Sequence, residues 1–427
     1  MTSLAQDART LFDAAVTRAN PALALRQALK AAPLPPLASG GKSYILALGK
    51  AAVPMMQEAL SHIPEPRRAL VVTNPENRQD VVGAQVLAGS HPVPDQASAE
   101  AGASVLRFLS QTTAQDRVIV LVSGGGSALM VAPAAGLSLA DKAAVNQALL
   151  ASGLEITEMN LVRQQLSELK GGGLLRHAAP APVTAYILSD VIGDDLRAIA
   201  SGPTVSPLGD RAAACATVKQ AGIWDSLPEA VKTHLTTAPA VSPLPEAQNI
   251  LIGSNRHSLA AMMQAAHPLG WEAQLVSDHL TGDVAEAVEE ILRAAQAAPK
   301  DRDIALSFGG DTTVRLVGDG RGGRNQEMAL RLAQRGAREL SGDWLFLSGG
   351  TDGRDGPTEA AGGIATPGTW AAIAEAGADG AALLANNDSY AALKAADALL
   401  LTGGTGTNVA DVQVFLRRAA TDQAATD

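Results

Sequence analysis

VIVLVSGGGSALM, residues 118–130, reads as a buried strand that breaks abruptly into glycine and serine. Six further segments repeat the pattern: YILALGKAA (44–52), AYILSDVIGDD (185–195), NILIGSN (249–255), IALSFGGDTT (304–313), WLFLSGGTDG (344–353) and LLLTGGTGTN (399–408). Ala/Leu-rich helical stretches separate them almost throughout, so the chain reads as an α/β protein with a mainly parallel sheet. Glycine lets backbone N–H groups approach an anion closely, and such turns lie where ligands bind in open parallel sheets. Repeated at so many strand ends, they point to a polyanionic substrate and to phosphate chemistry.

Length and composition narrow the field. With 427 residues, 47% of them hydrophobic, the chain can fill two cores and is not globally disordered. A net charge of −10 and 3% aromatic residues argue against nucleic acid, which requires basic surfaces and stacking platforms. The one cysteine, Cys215, permits no intrachain disulfide and reads as a small buried apolar residue. Residues 1–32 space apolar side chains helically among charges and lack the features of a secretion signal. No apolar run reaches the roughly 18 residues a membrane span needs. The expectation is a soluble, cytoplasmic protein.

Helices are expected over VPMMQEALSHI (53–63), over LSLADKAAVNQALLASG (137–153) with Ser138 as N-cap, and over ITEMNLVRQQLSELKGG (156–172). In the last, Met159, Val162, Leu166 and Leu169 form an apolar stripe, Thr157 can cap the start and Gly171 can stop the end. Of two Pro-rich stretches, APLPPLASGG (32–41) and APAVSPLPEA (238–247), the second reads as a linker and hinge. It divides an N-terminal domain, residues 1–240, from a C-terminal domain, residues 248–420. The tail RRAATDQAATD (417–427) has no apolar periodicity and is expected to fray.

Several motifs carry chemistry. In TVRLVGDGRGGRNQE (313–327), Gly318, Gly320 and Gly323 satisfy the dinucleotide pattern G-x-G-x-x-G, and Asp343 follows 20 residues later. Asp343, however, precedes the next strand, whereas a ribose-binding acid should close it. Arg321 and Arg324 suit phosphate better, and Arg324 opens a helix whose positive end would reinforce it. Lys50 ends a buried strand and starts a helix, where a lysine places a point charge on a phosphate or carboxylate. Lys42 and Ser43 follow Gly41, but Pro36 stands where a P-loop needs its first glycine.

SGGGSA offers Ser123, Gly124, Gly125, Gly126 and Ser127 as a phosphate nest, and Gly309, Gly310 and Asp311 are read the same way. Leu129 breaks the G-x-S-x-G pattern of a nucleophile elbow. Asp190 and Asp194, beside Asp195, are candidate Mg²⁺ ligands, while Asp311, Asp352 and Asp355 lie at other strand ends. The seven histidines include no i, i+4 pair, so zinc is not expected.

Taken together, LALGKAA, GSHPVPD, VSGGGSAL, MNLVRQQLSELKGG, LSDVIGDDLRAIASGPT, GDGRGGRNQE, SGGTDGRDGPTEAAGG and TGGTGTN resemble the class II glycerate kinases, glycerate 2-kinases carrying a MOFRL domain. The eight motifs occur in order between about residue 40 and about residue 415. The resemblance implies a Rossmann-like domain plus a second α/β domain, with the active site in the cleft between them. It implies ATP, a divalent metal such as Mg²⁺, and phosphorylation of D-glycerate on its 2-hydroxyl, with neither nucleic acid nor membrane as partner. A homo-oligomer is compatible with it. Carried over residue by residue, it makes Lys50, Arg324 and Asp352 catalytic. Two small departures, Gly404 for a common proline and Asp311 for a common glutamate, remove no charge. Hydroxypyruvate reduction with NAD(P)H and a non-catalytic nucleotide or organic-acid sensor are the alternatives.

Overall fold

A computed structural model describes residues 3–238 and 243–420 of the protein. Part of the linker expected at 238–247 and the end of the tail expected at 417–427 lie outside the described residues. The chain divides into two compact units, Pro21–Ile252 and a second made of Met1–Asn20 with Gly253–Asp427.

The first unit is built on six strands, β1 (Ser43–Leu48), β2 (Arg67–Thr73), β3 (Gln85–Ala88), β4 (Arg117–Val122), β5 (Val183–Leu188) and β6 (Ala247–Gly253). Their order is β3-β2-β1-β4-β5-β6, and every pair from β3 through to β5 is parallel. Leu46, Leu48, Val118, Val120 and Val122 pack into one cluster, while their neighbours Ile45, Ile119 and Leu121 are buried as well. Burial on both faces explains why these strands read as unbroken apolar runs rather than alternating ones. The order reverses between β1 and β4, the switch point where ligands bind in open parallel sheets.

The second unit holds β7 (Glu272–Asp283), β8 (Ile304–Thr313), β9 (Trp344–Gly350), β10 (Gly362–Ala365), β11 (Leu399–Leu400) and β12 (Asp411–Arg417), in the order β11-β10-β9-β12-β8-β7. Only β7 and β8 pair in parallel among the described pairs; β12 runs antiparallel between β8 and β9. This sheet is therefore mixed.

Two boundaries differ from the sequence division. The helix Leu4–Arg18 packs Ala8, Leu11, Phe12 and Ala15 against Leu259, Met262 and Leu347 of the second unit. β6, although it follows the Pro-rich stretch, joins the first sheet. Composition marks a linker but does not tell which sheet the next strand completes.

The helix Ala52–His62 forms as expected, and Ser138 caps Leu139–Ala151 in a reciprocal box with Asp141. The third expected helix runs only over Ile156–Gln165, with Glu155 rather than Thr157 at its N-cap. It stops early because the backbone turns away: Ala134 N–H donates to the Leu166 carbonyl, Glu168 N–H to that of Ala132, and Pro133 bridges Ser167. Leu166 and Leu169 are buried all the same, from outside the helix. Cys215 is buried and free, in a cluster with Val145, Leu149 and Val162. No helix among the described residues is long and apolar enough to cross a membrane. A cavity of about 600 Å³, lined by Pro33, Pro36, Ile63, Pro66 and Arg117 among others, lies by the N-terminal ends of β1, β2 and β4, away from the switch point.

Candidate active site

At the switch point the C-terminal ends of β1 and β4 are tied together. Ser123 N–H donates to the Leu48 carbonyl (2.9 Å), and Lys50 N–H to that of Gly124 (2.9 Å). The Ser123 hydroxyl donates to the Leu48 carbonyl at 3.1 Å and accepts from Ala51 N–H at 3.1 Å. Buried, with its hydroxyl both donating and accepting within the chain, Ser123 braces the loop. Gly49 has φ +112° and a Cβ there would fall 2.3 Å from Ser123 Oγ, so only glycine fits beside this brace.

The glycine loop then threads between charged groups. A Cβ on Gly124 would strike the Asp190 carboxylate at 2.0 Å; one on Gly125 would lie 3.2 Å from the Lys50 side chain and 3.3 Å from His91. Lys50 therefore runs alongside the loop. The N–H groups of Gly124, Gly125 and Gly126 have no backbone acceptor among the described residues. Partial desolvation, then the Lys50 charge, pushes the His91 imidazole below its ordinary range.

Ser127 completes the constellation. Its hydroxyl accepts from Lys170 Nζ at 2.8 Å and shares a hydrogen bond with Ser201 Oγ at 2.9 Å. Two loops bring these partners in. Gly171 N–H donates to the Ser201 carbonyl (3.0 Å) and Gly172 N–H to that of Gly202 (2.8 Å), lacing KGGG to ASGPT. Ala200, Ser201 and Gly202 are all left-handed (φ 49°, 60° and 64°), strain at two non-glycine positions that the lacing must hold. Lys170 and Ser201 were missed in the sequence reading, although both stand in motifs quoted for the resemblance.

Lys170 is only 8% exposed. Burial, then the charges of Lys142 and Arg163, hold its amine well below the usual lysine range. Lys142, which donates to the Leu166 carbonyl at 2.9 Å, is pushed down to about 8 by burial and by Arg163. Arg163 donates to Asn146 Oδ1 at 2.6 Å, while its buried Nε has no partner. None of these three cations forms a salt bridge with a described carboxylate.

The acidic candidates of this unit behave differently. Asp190 backs onto Gly124; Asp194 sits in a turn at φ 56°, and Asp195 pairs with Arg197 at 2.8 Å. No group of three or more His, Cys, Asp or Glu among the described residues is arranged to hold a metal ion.

In the second unit Arg324 opens the helix Arg324–Glu339 as expected, but its charge is already matched within the chain. It donates to Asp411 Oδ1 at 3.0 Å and pairs with Asp311 at 2.7 Å. Burial alone would lower the Arg324 pKa, yet the charge and hydrogen bond of Asp411 raise it. Burial raises the Asp311 pKa, and Arg324 opposes that shift. Asp411, at the start of β12, is a partner the sequence reading did not single out. Asp352 accepts from Arg354 N–H at 3.0 Å and lies with Asp411 around Gly350.

The helix N-terminus also proves occupied from within. Asp355 accepts from the backbone N–H groups of Asn325 (3.2 Å) and Gln326 (2.8 Å), and a Cβ on Gly323 would sit 2.3 Å from its carboxyl carbon. Cβ atoms on Gly318 and Gly320 would strike Asn386 at 2.4 and 2.5 Å. The G-x-G-x-x-G spacing is thus explained by close packing within the chain. Gly309 and Gly310 lie not in a turn but in the ladder of β8, opposite Val412 and Asp411 of β12. Gly309 is needed because the Asn255 side chain would meet its Cβ at 2.1 Å.

Comparison with known proteins agrees with this architecture. Residues 7–236 match a family described as a domain of unknown function, DUF4147, and residues 304–411 match the MOFRL family. A protein named glycerate 2-kinase from Pyrococcus horikoshii is 37% identical over 391 residues, covering 88% of this chain and 87% of its own. An Agrobacterium vitis relative, provisionally named a hydroxypyruvate reductase, is 36% identical over 97% of this chain and 94% of its own. The crystal structure of a glycerate kinase from Thermotoga maritima superposes with a TM-score of 0.89 at 34% identity, covering 96% of this chain and 99% of that one. The chain belongs to the MOFRL family of glycerate kinases.

Proposed function

We propose that this protein transfers the γ-phosphoryl group of ATP to the 2-hydroxyl of D-glycerate, giving 2-phosphoglycerate and ADP in the cytoplasm. The observation that carries the reading is the convergence of Lys50, the glycine loop, Ser127 and Lys170 at the switch point. Phosphoryl transfer needs positioning and charge neutralisation more than covalent help, and this constellation offers cations and backbone donors. Lys50 would stabilise charge developing on the transferred group, while Gly124, Gly125 and Gly126 present N–H groups to phosphate oxygens. Arg324 and Asp352 are proposed catalytic residues through their correspondence with the family motifs.

Magnesium keeps most of its shell as water and phosphate oxygen and takes one or two carboxylates from a kinase. Asp190, backing the glycine loop, fits such a sparse donor set; Asp194 is the second candidate. Bound there with ATP, the ion would neutralise charge on the β- and γ-phosphates.

Hydroxypyruvate reduction rests on a relative's name, and the glycines of its expected nucleotide loop are taken up by Asn386 and Asp355. Two assays on one preparation test the choice. ADP should form from ATP only when D-glycerate is present, and NADH should stay unoxidised with hydroxypyruvate. NADH oxidation without glycerate-dependent ADP would overturn the kinase reading.

A further inference from the structure

We infer that Lys170 is the anchor for the acceptor's carboxylate, with Ser127 as the neutral donor beside it and the buried Ser201 hydroxyl holding Ser127 in place. This rests on the glycerate kinase reading for the identity of the acceptor, but the site itself rests on geometry. Lys170 is buried and points its Nζ at Ser127 Oγ (2.8 Å), which in turn meets Ser201 Oγ (2.9 Å). Ser127 is only half-buried, so the constellation opens from a buried cation toward the glycine loop.

A cation without a counter-ion in a dry site is costly, and proteins ordinarily pair or neutralise it. Here burial and like charge disfavour the ammonium in the free protein, and no described carboxylate is supplied to restore it. Lys142, from the helix Leu139–Ala151, and Arg163, from Ile156–Gln165, add like charge around Lys170, and neither meets a carboxylate. Arg163 leaves a buried Nε with no acceptor. An arrangement that accumulates positive charge and holds it with strained, laced loops is completed by an anion from outside. A 2-hydroxy acid brings one carboxylate, compact enough for a lysine and the Ser127 hydroxyl. Fixing that end leaves the hydroxyl to be presented to the phosphoryl donor along the Lys50 loop, as orientation requires.

The same cation could instead serve a nucleotide phosphate, and the two occupants are separable. Lys170→Met removes the amine at similar length and with it the cost of burying that polar group, so the melting temperature should hold or rise. With the variant, KM for D-glycerate should increase about 10²-fold, the scale of a lost charge-assisted contact, with KM for ATP within about twofold. Calorimetry of D-glycerate binding to the wild-type protein at pH 8, in two buffers of different ionisation heat, should show proton uptake. Burial and the charges of Lys142 and Arg163 disfavour the ammonium in the free protein, and a bound carboxylate restores it. The uptake needs no variant, so the inference stays testable if Lys170→Met does not fold.

A rise in KM for ATP alone would assign the site to phosphate and overturn the inference, as would D-glycerate binding that is unaffected by the substitution or takes up no proton. Wild-type protein that makes ADP with glycerate while Lys170→Met binds glycerate normally would sink the anchor and leave the kinase. Lys170-dependent glycerate binding without any ADP would do the reverse.

Discussion

Lys50 and Arg324 entered as equivalent cations, and their surroundings separate them. Lys50 lies along a glycine loop, so Lys50→Ala should lower turnover by about 10²-fold while leaving the melting temperature within about 2 °C. Arg324 holds Asp411, whose side chain is 2% exposed, and the arginine is itself 37% exposed. Removing it strands a buried carboxylate at about 1–3 kcal/mol after discounting for solvent, or roughly 3–10 °C for a unit of this size. Activity assays alongside thermal melts check the contrast, and equal melting of the two variants would contradict it. Lys50 stands out as a candidate in the sequence because a lysine rarely ends a buried strand directly. Lys170, Ser201 and Asp411 do not, because their meaning lies in partners 43, 74 and 87 residues away. Residue type and spacing along the chain carry no information about such contacts.

At the level of elements, the Asp355 cap on the helix Arg324–Glu339 makes a pH prediction. Burial, then the charge of Asp411, raises the Asp355 carboxyl to about 6 in the folded protein, against an ordinary value near 4. Between those values the folded state holds a proton that the unfolded chain has released, so this group's contribution falls as pH rises from about 4 to about 6. Its effect is at most about 3 kcal/mol. Carboxylates held low, such as Asp116 and Glu58, act oppositely and at lower pH. The difference between melting curves therefore isolates Asp355: the stability of Asp355→Asn relative to wild type should climb across that window. Parallel curves would show that Asp355 is not the titrating cap. The strands of the first sheet were legible because burial on both faces leaves unbroken apolar runs. The helix over 156–172 was overextended because an apolar stripe continues past Gln165 on a chain that has left the helix. β8 was read as a strand ending in a glycine turn, since nothing in GGDTT shows that β12 will pair across those glycines.

For the molecule as a whole, the least legible feature was that the first twenty residues belong with the last 175. Leu11 and Phe12 are fully buried against Leu259, Met262 and Leu347, each worth about 1.5–3 kcal/mol. Deleting residues 1–20 should lower the melting temperature sharply and promote aggregation of a chain that retains the whole first sheet; unchanged melting would contradict the division. The glycine turns pointed to phosphate chemistry, and the family resemblance supplied the reaction. Phosphorylation of the 2-hydroxyl is tested by the position of the phosphate on the product. ATP, D-glycerate and Mg²⁺ should be incubated with the protein and the product passed to enolase with no phosphoglycerate mutase. Phosphoenolpyruvate should form immediately; a product that enolase accepts only after mutase is added would place the phosphate on the 3-hydroxyl and contradict transfer to the 2-hydroxyl.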